Sequence, residues 1–569
     1  MKFIKKIIWI IVTATGFAGC DETAFLEEKP PSIYVPENSL VTAADYQSAV
    51  NYMYNRVRFV LFEMSQNSRY ALMYATDLAF AAYDTELLNK YKTNMIPTAS
   101  EPLNMWRYTY SIIHQANLIL TRIETVDIEE ESKRKFRGQA LCCRAFAYKL
   151  LANLYGGVPL FLEETTGIRR DAVRASREDV YRQCKTDLLE SVAILKDIDE
   201  VRDGEVSKQV ALHYLSEVCI SLGDYDEAIK AATAVIDYPG LSLVTARFGS
   251  VAGQEGSPYS DLFRHNNQNR GSGNTEALWV AQFDYLNPAS NSYFLDRLAF
   301  TFIPLYYTIT ITADGVTTTA FKGRTMEKGG AGNGWMQPTA HVANEIWEDG
   351  DLRNAPYLIV RDFRIDNEQS PAYGKWFVAD GYCTQAHQYR NWYPFFMKTV
   401  SGYVPWELYQ RDSNGLPMKT GFGEQLVTSV AQHRYRDSYI CRLAETYLLR
   451  AEAYLNKKDN IHAAADINVV RARAEAPLAD AANVDIDYLL DERLRELTFE
   501  ELRTATLCRM GKLVERTKKY NTTYVGRDGE RAESSGQSME DYHNLWPVPY
   551  NEIERNTHAV LEQNPGYIN

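Results

Sequence analysis

The most constraining feature of this sequence is a pair of amphipathic segments joined by a short turn, ALHYLSEVCISLGDYDEAIKAATAVID, residues 211–237. Apolar residues recur in both segments at three- and four-residue steps, which predicts two helices. The turn Leu222-Gly223-Asp224-Tyr225 joins them, and the small residues Ala228 and Ala232 suit a close helix–helix contact. This combination is typical of a tetratricopeptide-like helical hairpin.

A second hairpin of the same kind is predicted from Ser438 to about Ala474, with NKKDN as its turn. Some 200 residues of different character separate the two hairpins, so the chain is not a strict 34-residue repeat array. Helical periodicity also covers most of residues 41–237, and in RAFAYKLLANLYGGVPLF the pair Gly156-Gly157 ends a helix. The pattern predicts a helical scaffold interrupted by a long insertion.

The predicted insertion, residues 238–430, is rich in Gly, Asn and aromatic residues. Within it, TITITADGVTTTAF alternates around Asp314-Gly315, which predicts a β-hairpin. Long loops on a rigid scaffold usually carry function. The expected fold is therefore mostly α, a helix-pair scaffold formed by residues 41–237 and 431–569 with an irregular, aromatic-rich insertion that carries short β-hairpins.

The N-terminus has the order of a secretory signal, with Lys2, Lys5 and Lys6 before the apolar run 7–12 and small residues before Cys20. A cysteine at the cut favours a bacterial lipoprotein, with residues 1–19 as the signal peptide, Cys20 lipidated and residues 20–40 as a tether. Asp21 and Glu22 resemble the acidic export signal of some outer-membrane lipoproteins. The alternative is an ordinary signal with an incidental cysteine.

Charge and cysteine content limit the partners further. The net charge of −13 makes a phosphate backbone an unfavourable partner, so nucleic acid is not expected. Six cysteines fall on predicted helices without metal-site spacing and are expected to be small buried side chains. They are Cys142, Cys143, Cys184, Cys219, Cys441 and Cys508.

The sequence carries none of the common catalytic signatures. It has no His-Glu-x-x-His pair, Gly-x-Ser-x-Gly elbow, Walker loop or Cys-x-x-Cys motif. Glu492, Glu496 and Glu500 recur at four-residue steps, but with Arg493 and Arg495 between them they favour structural ion pairs over a glycosidase site. No enzymatic activity, cofactor or metal is predicted.

Several segments together resemble the SusD/RagB family of outer-membrane nutrient-binding lipoproteins. They are CDETAFLEEKPPS, WRYTYSIIHQANLIL, RAFAYKLLANLYGGVPLF, YICRLAETYLLRAEAYL, LLDERLRELTFEELR and LWPVPYNEIERNTHAVLEQNPGY. One departure is Thr504-Ala505-Thr506-Leu507, where such proteins often have an aromatic-Asp-Leu step. The resemblance implies four tetratricopeptide-like helix pairs, a surface location, and a TonB-dependent transporter of the SusC type that receives oligosaccharides from the lipoprotein.

Sugars present apolar C–H faces and hydroxyl rims, so a binding site needs aromatic rings with polar side chains beside them. Residues 74–92 and the insertion supply both where the family's ligand loops lie. The candidate ligand-binding residues are Asp77, Tyr83, Asp84, Tyr91, Tyr293, Trp335, Trp376, Arg390 and Trp392. For Trp335 the sequence leaves open whether the ring is a ligand platform or a structural plug.

Two other functions remain open at this stage. The same scaffold could bind peptides, for which backbone pairing and charged pockets would matter more than ring platforms. A lipid-anchored glycosidase would need two opposed carboxylates in a cleft, and the sequence places no such pair.

Overall fold

The computed structural model describes residues 40–63, 70–82, 88–284, 296–400 and 402–568. The signal peptide, Cys20 and nearly all of the predicted tether lie outside the described residues. Within the described ranges, the helices of eight or more residues are α1 Ala43–Arg58, α2 Ser100–Arg122, α3 Glu130–Tyr155, α4 Arg177–Ile194, α5 Lys208–Ser221, α6 Tyr225–Ile236, α7 Leu443–Asn456, α8 Asn460–Arg473, α9 Ile486–Leu497, α10 Arg503–Met510 and α11 Leu513–Tyr520.

Shorter elements connect these helices and build the insertion. The short α-helices are Tyr91–Asn94, Pro258–Asp261, Leu298–Phe302, Ser535–Ser538 and Tyr550–Arg555. The strands are β1 Ala79–Ala81, β2 Ala277–Ala281, β3 Thr310–Ala313, β4 Val316–Thr319, β5 Met336–Pro338, β6 Ile359–Val360, β7 Phe395–Phe396, β8 Ser438–Arg442, β9 Thr523–Val525 and β10 Arg531–Glu533. The mostly helical architecture expected from the sequence is confirmed.

The predicted hairpin at residues 211–237 is α5 and α6. The side chain of Ser207 caps α5 by accepting from the backbone N–H of Val210 at 3.4 Å. Gly223 takes φ of +76°, and the N–H of Asp224 donates to the carbonyl of Cys219 at 2.8 Å. Glycine satisfies the left-handed conformation that closes the turn, so the Gly-Asp signal in the sequence had a direct structural cause.

The insertion leaves the scaffold after α6 and returns before α7. Helices α6 and α7 pack against each other although about 200 residues separate them, so α1 to α8 form a continuous series. At the base of the insertion β2 pairs with β8 in antiparallel fashion. Cys441 therefore lies on a strand rather than on the predicted helix, because the chain returns to the scaffold as β8 before α7 begins.

Two details predicted within these regions are confirmed. Strands β3 and β4 pair antiparallel, with Ala313 opposite Val316, and Asp314 and Gly315 form the turn at φ of 50° and 78°. Two positive φ values in a two-residue turn suit the twist of a hairpin. The six cysteines expected to be buried are all buried and free.

The glutamates at four-residue spacing belong to a buried ionic network, as expected from their alternation with arginine. Glu492 and Glu496 lie on α9 and are fully buried, whereas Glu500 lies just beyond the end of the helix. The partners of Glu496 are Arg353, Arg442 and Arg473, from distant parts of the chain. The network thus joins the scaffold to the insertion, whereas ion pairs within α9 alone would stabilise only that helix.

His213 on α5 is buried in the scaffold, with 1% of its surface exposed. Its Nδ1 lies 2.8 Å from the hydroxyl of Thr446 on α7. Burial lowers the pKa of His213 to about 3, although the nearby Glu217 opposes this shift. In an unfolded chain the pKa of histidine is about 6.5.

The free energy of unfolding is therefore expected to fall as the pH drops from about 6.5 toward 3, because the unfolded chain then binds a proton that folded His213 excludes. Urea unfolding at pH 7.5 and at pH 4.5 measures this loss. In the variant His213→Gln, which keeps a polar group beside Thr446, the loss should be smaller. An unchanged loss in the variant would assign the pH dependence to other groups.

Candidate functional site

Segments far apart in sequence meet beside Trp335. Strand β1 pairs antiparallel with β5, with Ala81 opposite Met336. The N–H of Ala82 then donates to the carbonyl of Trp335 at 2.9 Å. Ala82 therefore lies directly beside the tryptophan, so residues 74–82 and the Trp335 segment, both predicted to belong to ligand-binding regions, are neighbours in the fold.

The backbone on either side of Trp335 is tightly held. The N–H groups of Asn333 and Trp335 donate to the carbonyls of Phe300 and Thr301 at 2.6 and 2.8 Å. A Cβ on Gly332 would lie 2.1 Å from the carbonyl oxygen of Ile303, so only glycine fits there. The glycines around Trp335 thus serve close backbone contact and fix the direction of the ring.

The ring itself is partly exposed. Trp335 packs edge-on against Phe300, with ring centroids 5.2 Å apart. The guanidinium of Arg297 lies 4.5 Å from the centroid of the Phe300 ring and donates to Gln432 at 3.0 Å. Two partly exposed rings with a cation at one side form a surface that can hold an apolar face and a polar rim together.

Arg390 completes this surface and positions it. Its Nε donates to the carbonyl of Asn333 at 3.1 Å, and its Nη2 donates to the side-chain oxygen of Asn333 at 2.8 Å. A Cβ on Gly334, which has φ of +60°, would lie 2.4 Å from the carbonyl oxygen of Arg390. Arg390 therefore holds the turn that presents Trp335. We call Arg297, Phe300, Asn333, Trp335 and Arg390 the Trp335 surface.

Trp376 and Trp392 have opposite environments. Trp376 is 42% exposed, and the guanidinium of Arg364 lies 5.2 Å from its ring centroid. Trp392 is only 3% exposed and packs against Phe363 and Phe377, with ring centroids 5.6 and 5.1 Å away. Trp376 keeps the geometry of a ligand platform, whereas Trp392 fills the core of the insertion and is out of reach of a ligand.

Asp77 does not fit its predicted ligand role either. Its carboxylate is fully buried and accepts from Arg503 at 2.8 and 2.6 Å and from Arg516. Burial alone would raise the pKa of Asp77, but the two arginines outweigh it and lower the pKa below the ordinary value. The carboxylate joins the segment after α1 to the C-terminal helices α10 and α11.

Tyr91 also lies inside, with 2% of its surface exposed and its ring 5.0 Å from that of His543. Burial raises the pKa of Tyr91 well above its usual value. Tyr83, Asp84 and Tyr293 lie outside the described residues. Of the nine candidates, the structure brings Trp335 and Arg390 into direct proximity, with Trp376 exposed on another loop.

Other exposed rings were not among the sequence candidates. Trp406 is 50% exposed, with the guanidinium of Arg411 4.9 Å from its ring centroid. Tyr373 and Phe422 stack with centroids 5.2 Å apart at 12°. For Trp406 the available signal was the aromatic density of residues 376–409, where eleven of 34 residues are aromatic, but density alone does not separate exposed rings from buried ones. Tyr373 and Phe422 lie outside that segment.

In the described part of the chain, no group of three or more His, Cys, Asp or Glu side chains is arranged to hold a metal ion. Asp412 of the segment RDSNG accepts the N–H groups of Asn414 and Leu416 at 2.8 and 3.0 Å. Its carboxylate is thus used within its own turn. Among the described residues, none of the helices combines the length and the hydropathy of a membrane-spanning segment.

Comparison with protein-family models gives two matches. Residues 24–220 match a SusD-like family described as starch-binding and associating with the outer membrane, and residues 361–567 match the SusD family. The two matches lie in the order in which the sequence motifs occur. The chain belongs to the SusD/RagB family.

Individual relatives extend this similarity over the whole chain. SusD-like protein P2 of Formosa agariphila is 25% identical over 574 residues, which is 99% of each chain. Starch-binding protein SusD of Bacteroides thetaiotaomicron is 32% identical over 164 residues, 29% of this chain and 25% of that protein. A solved laminarin binding SusD-like protein aligns with a TM-score of 0.61 and 19% identity over 92% of this chain and 99% of that one, which shows the fold.

Proposed function

We propose that this chain is an outer-membrane lipoprotein that binds oligosaccharides or polysaccharides at its Trp335 surface and delivers them to a TonB-dependent SusC-like transporter. The observation that carries the proposal is the convergence of Trp335, Phe300 and the Asn333–Arg390 pair on one partly exposed surface. The rings offer apolar faces, and Asn333 and Arg297 offer hydrogen-bonding groups at the rim. This is the chemistry that a sugar ring requires.

Trp376 is proposed as a second contact for a long glycan. Its exposed ring and the guanidinium of Arg364 repeat the pairing of ring and cation found at the Trp335 surface. Tyr83, Asp84 and Tyr293 are retained as proposed ligand contacts. Ala82, which precedes Tyr83 in the chain, bonds the carbonyl of Trp335, and Arg297, which follows Tyr293 by four positions, lies over the ring of Phe300. Asp77, Tyr91 and Trp392 are not proposed as contacts.

The function is tested with the soluble chain beginning after Cys20 and a panel of neutral and charged polysaccharides. Affinity electrophoresis should show retardation by at least one glycan, and calorimetry should give its affinity. Assay of reducing ends should show no product, as expected for a receptor. If none of the polysaccharides binds, glycan binding is overturned and the peptide-binding alternative is favoured. If new reducing ends appear, a glycosidase is favoured.

The proposed lipid anchor gives a separate prediction. Replacing Cys20 by Ala removes the thiol that would carry the acyl chains, and hydrophobic insertion of those chains is the proposed source of membrane binding. The variant is expected in the soluble fraction, whereas the parent chain sediments with membranes. The control is Cys383→Ala, a partly exposed cysteine elsewhere, which should leave sedimentation unchanged. Retention of the Cys20 variant in membranes would contradict the lipoprotein proposal.

A further inference from the structure

A second concave surface lies on the scaffold, formed by the middle of α2, residues 159–172 and residues 552–561. We call it the α2 groove. Its volume is about 810 Å³. The two loop walls are tied together, because Asn556 exchanges hydrogen bonds with the backbone N–H and carbonyl of Ala172 at 2.7 and 2.8 Å. The groove is therefore a built feature of the scaffold and is distinct from the Trp335 surface.

The floor of the groove is aromatic. Trp106 and Tyr110 from α2 have ring centroids 5.1 Å apart, and Tyr110 meets Phe161 at 5.9 Å. The hydroxyl of Tyr110 donates to the carbonyl of Pro159 at 2.7 Å, which fixes the ring. At the rim Ile168 is 85% exposed. An apolar side chain placed in the groove would cover these groups and remove apolar surface from water.

The rim is basic although the whole protein is acidic. Four arginines and one glutamate line the groove, whereas the chain carries a net charge of −13. Glu552 lies 2.9 Å from Arg107 and 3.8 Å from Arg555, so one carboxylate serves two guanidinium groups. Arg170 is exposed and forms no ion pair with any described residue. Arg169 pairs with Asp171 at 3.3 Å, so Arg170 is the rim arginine that remains available to an acidic occupant.

The groove also lies near the point where the described chain begins. Helix α1 packs against α2, and the side chain of Gln115 on α2 donates to the carbonyl of Ala49 on α1 at 3.3 Å. Arg122 at the end of α2 pairs with Glu164 at 2.5 Å, and the next residue, Thr165, lines the groove. The first half of α1 therefore lies against the helix that forms the floor of the groove.

We propose that the α2 groove binds the chain's own N-terminal segment, residues 21–39. This segment carries five carboxylates and one lysine, and Phe25 and Leu26 lie among the acids. Apolar side chains flanked by carboxylates match an aromatic floor with an arginine rim. Thirteen residues lie between Leu26 and Leu40. An extended chain from one leucine to the other reaches about 45 Å, more than the length of α2, which is about 35 Å.

Docking of this segment has a consequence for the proposed anchor. With Phe25 and Leu26 held in the groove, only four residues lie between Cys20 and Phe25. The groove would thus fix the distance between the domain and the lipid instead of leaving a 20-residue tether. This inference does not depend on glycan binding, so either proposal can fail without the other.

The test uses the chain from Asp21 to Asn569 with the photoreactive residue benzoylphenylalanine in place of Phe25. After irradiation, mass spectrometry should find intramolecular cross-links to residues 104–117, 159–172 or 552–561. The yield should fall at least fivefold in Arg170→Glu and should also fall in high salt, since exposed charges are screened. Arg527→Glu, an exposed arginine outside the groove, is the matched control and should leave the yield unchanged.

Cross-links confined to other parts of the chain, or only between two copies of it, would overturn the proposal. A yield that is equal in Arg170→Glu and Arg527→Glu would overturn the electrostatic basis of docking. Melting temperatures of both variants should equal that of the parent, because both arginines are exposed.

Discussion

Replacing Trp335 by Ala is expected to weaken glycan binding at least about tenfold, which corresponds to about 1.4 kcal/mol, while the melting temperature stays nearly unchanged. The ring is partly exposed, so its loss opens no enclosed cavity. The turn that carries it is held by the backbone of Asn333 and residue 335 and by Arg390, and Ala keeps these contacts. Calorimetry with the glycan found in the panel measures the change.

Two further tryptophans serve as controls for this prediction. Trp406→Ala removes an exposed ring that does not belong to the Trp335 surface and should leave affinity unchanged. Trp392→Ala removes a buried ring and should cost about 3–5 kcal/mol of stability, as for other large core truncations. A large drop in melting temperature for Trp335→Ala would show that its ring is structural. Loss of binding in Trp406→Ala alone would move the site to that loop.

The sequence was informative where local chemistry determines structure. The turn at Gly223-Asp224 and the hairpin at Asp314-Gly315 contain left-handed backbone conformations. Glycine adopts these conformations without strain, so its presence beside an aspartate predicts the turn from the sequence alone. Amphipathic periodicity then located the helices on either side. The family motifs added the order of the helices and the expectation of a ligand face.

Burial of single polar or aromatic residues could not be predicted in the same way. Asp77 is neutralised by Arg503 and Arg516, more than 400 residues later in the chain. Trp376 and Trp392 share an aromatic-rich segment, yet only Trp392 meets Phe321, Phe363 and Phe377. Such differences arise from long-range packing, which composition and periodicity do not encode.

The candidate site shows the same division. Trp335 is a large ring among glycines, and the backbones of Ile303 and Arg390 leave room only for glycine at positions 332 and 334. The sequence predicts Arg390 as a ligand contact, whereas its hydrogen bonds show that it holds the turn. Phe300 and Arg297 carried no sequence signal, because their contribution depends on the approach of the Trp335 turn.

Replacing Glu496 by Ala is expected to lower the free energy of unfolding by about 3–5 kcal/mol, the range for breaking a buried ion pair on one side. Its carboxylate is fully buried and accepts from Arg442 at 2.6 Å, from Arg353 at 3.0 Å and from Arg473. Burial alone would raise the pKa of Glu496, but the three arginines lower it well below the usual value. Denaturant unfolding at neutral pH measures the loss.

The variant Glu496→Gln separates charge from shape. It keeps the volume and an acceptor oxygen, so a loss close to that of Ala would assign the effect to uncompensated arginine charge. The control Glu178→Gln breaks an exposed pair with Arg182 and should have no measurable effect. If Glu496→Gln is as stable as the parent, the prediction that uncompensated arginine charge causes the loss is contradicted.

Loss of Glu496 should also destabilise the base of the insertion, where β2 pairs with β8. Arg442 belongs to β8 and bonds Glu276, the residue before β2, at 3.1 Å, while Arg473 joins the same glutamate from α8. Without Glu496, Arg473 keeps only Glu276, and Arg442 keeps Glu276 and Glu500, so the ion pairs that hold β2 and β8 on the scaffold are weakened. Amide hydrogen exchange in Ala277–Ala281 and Ser438–Arg442 should therefore accelerate more than in α4, where exchange should change least because that helix lies outside the network.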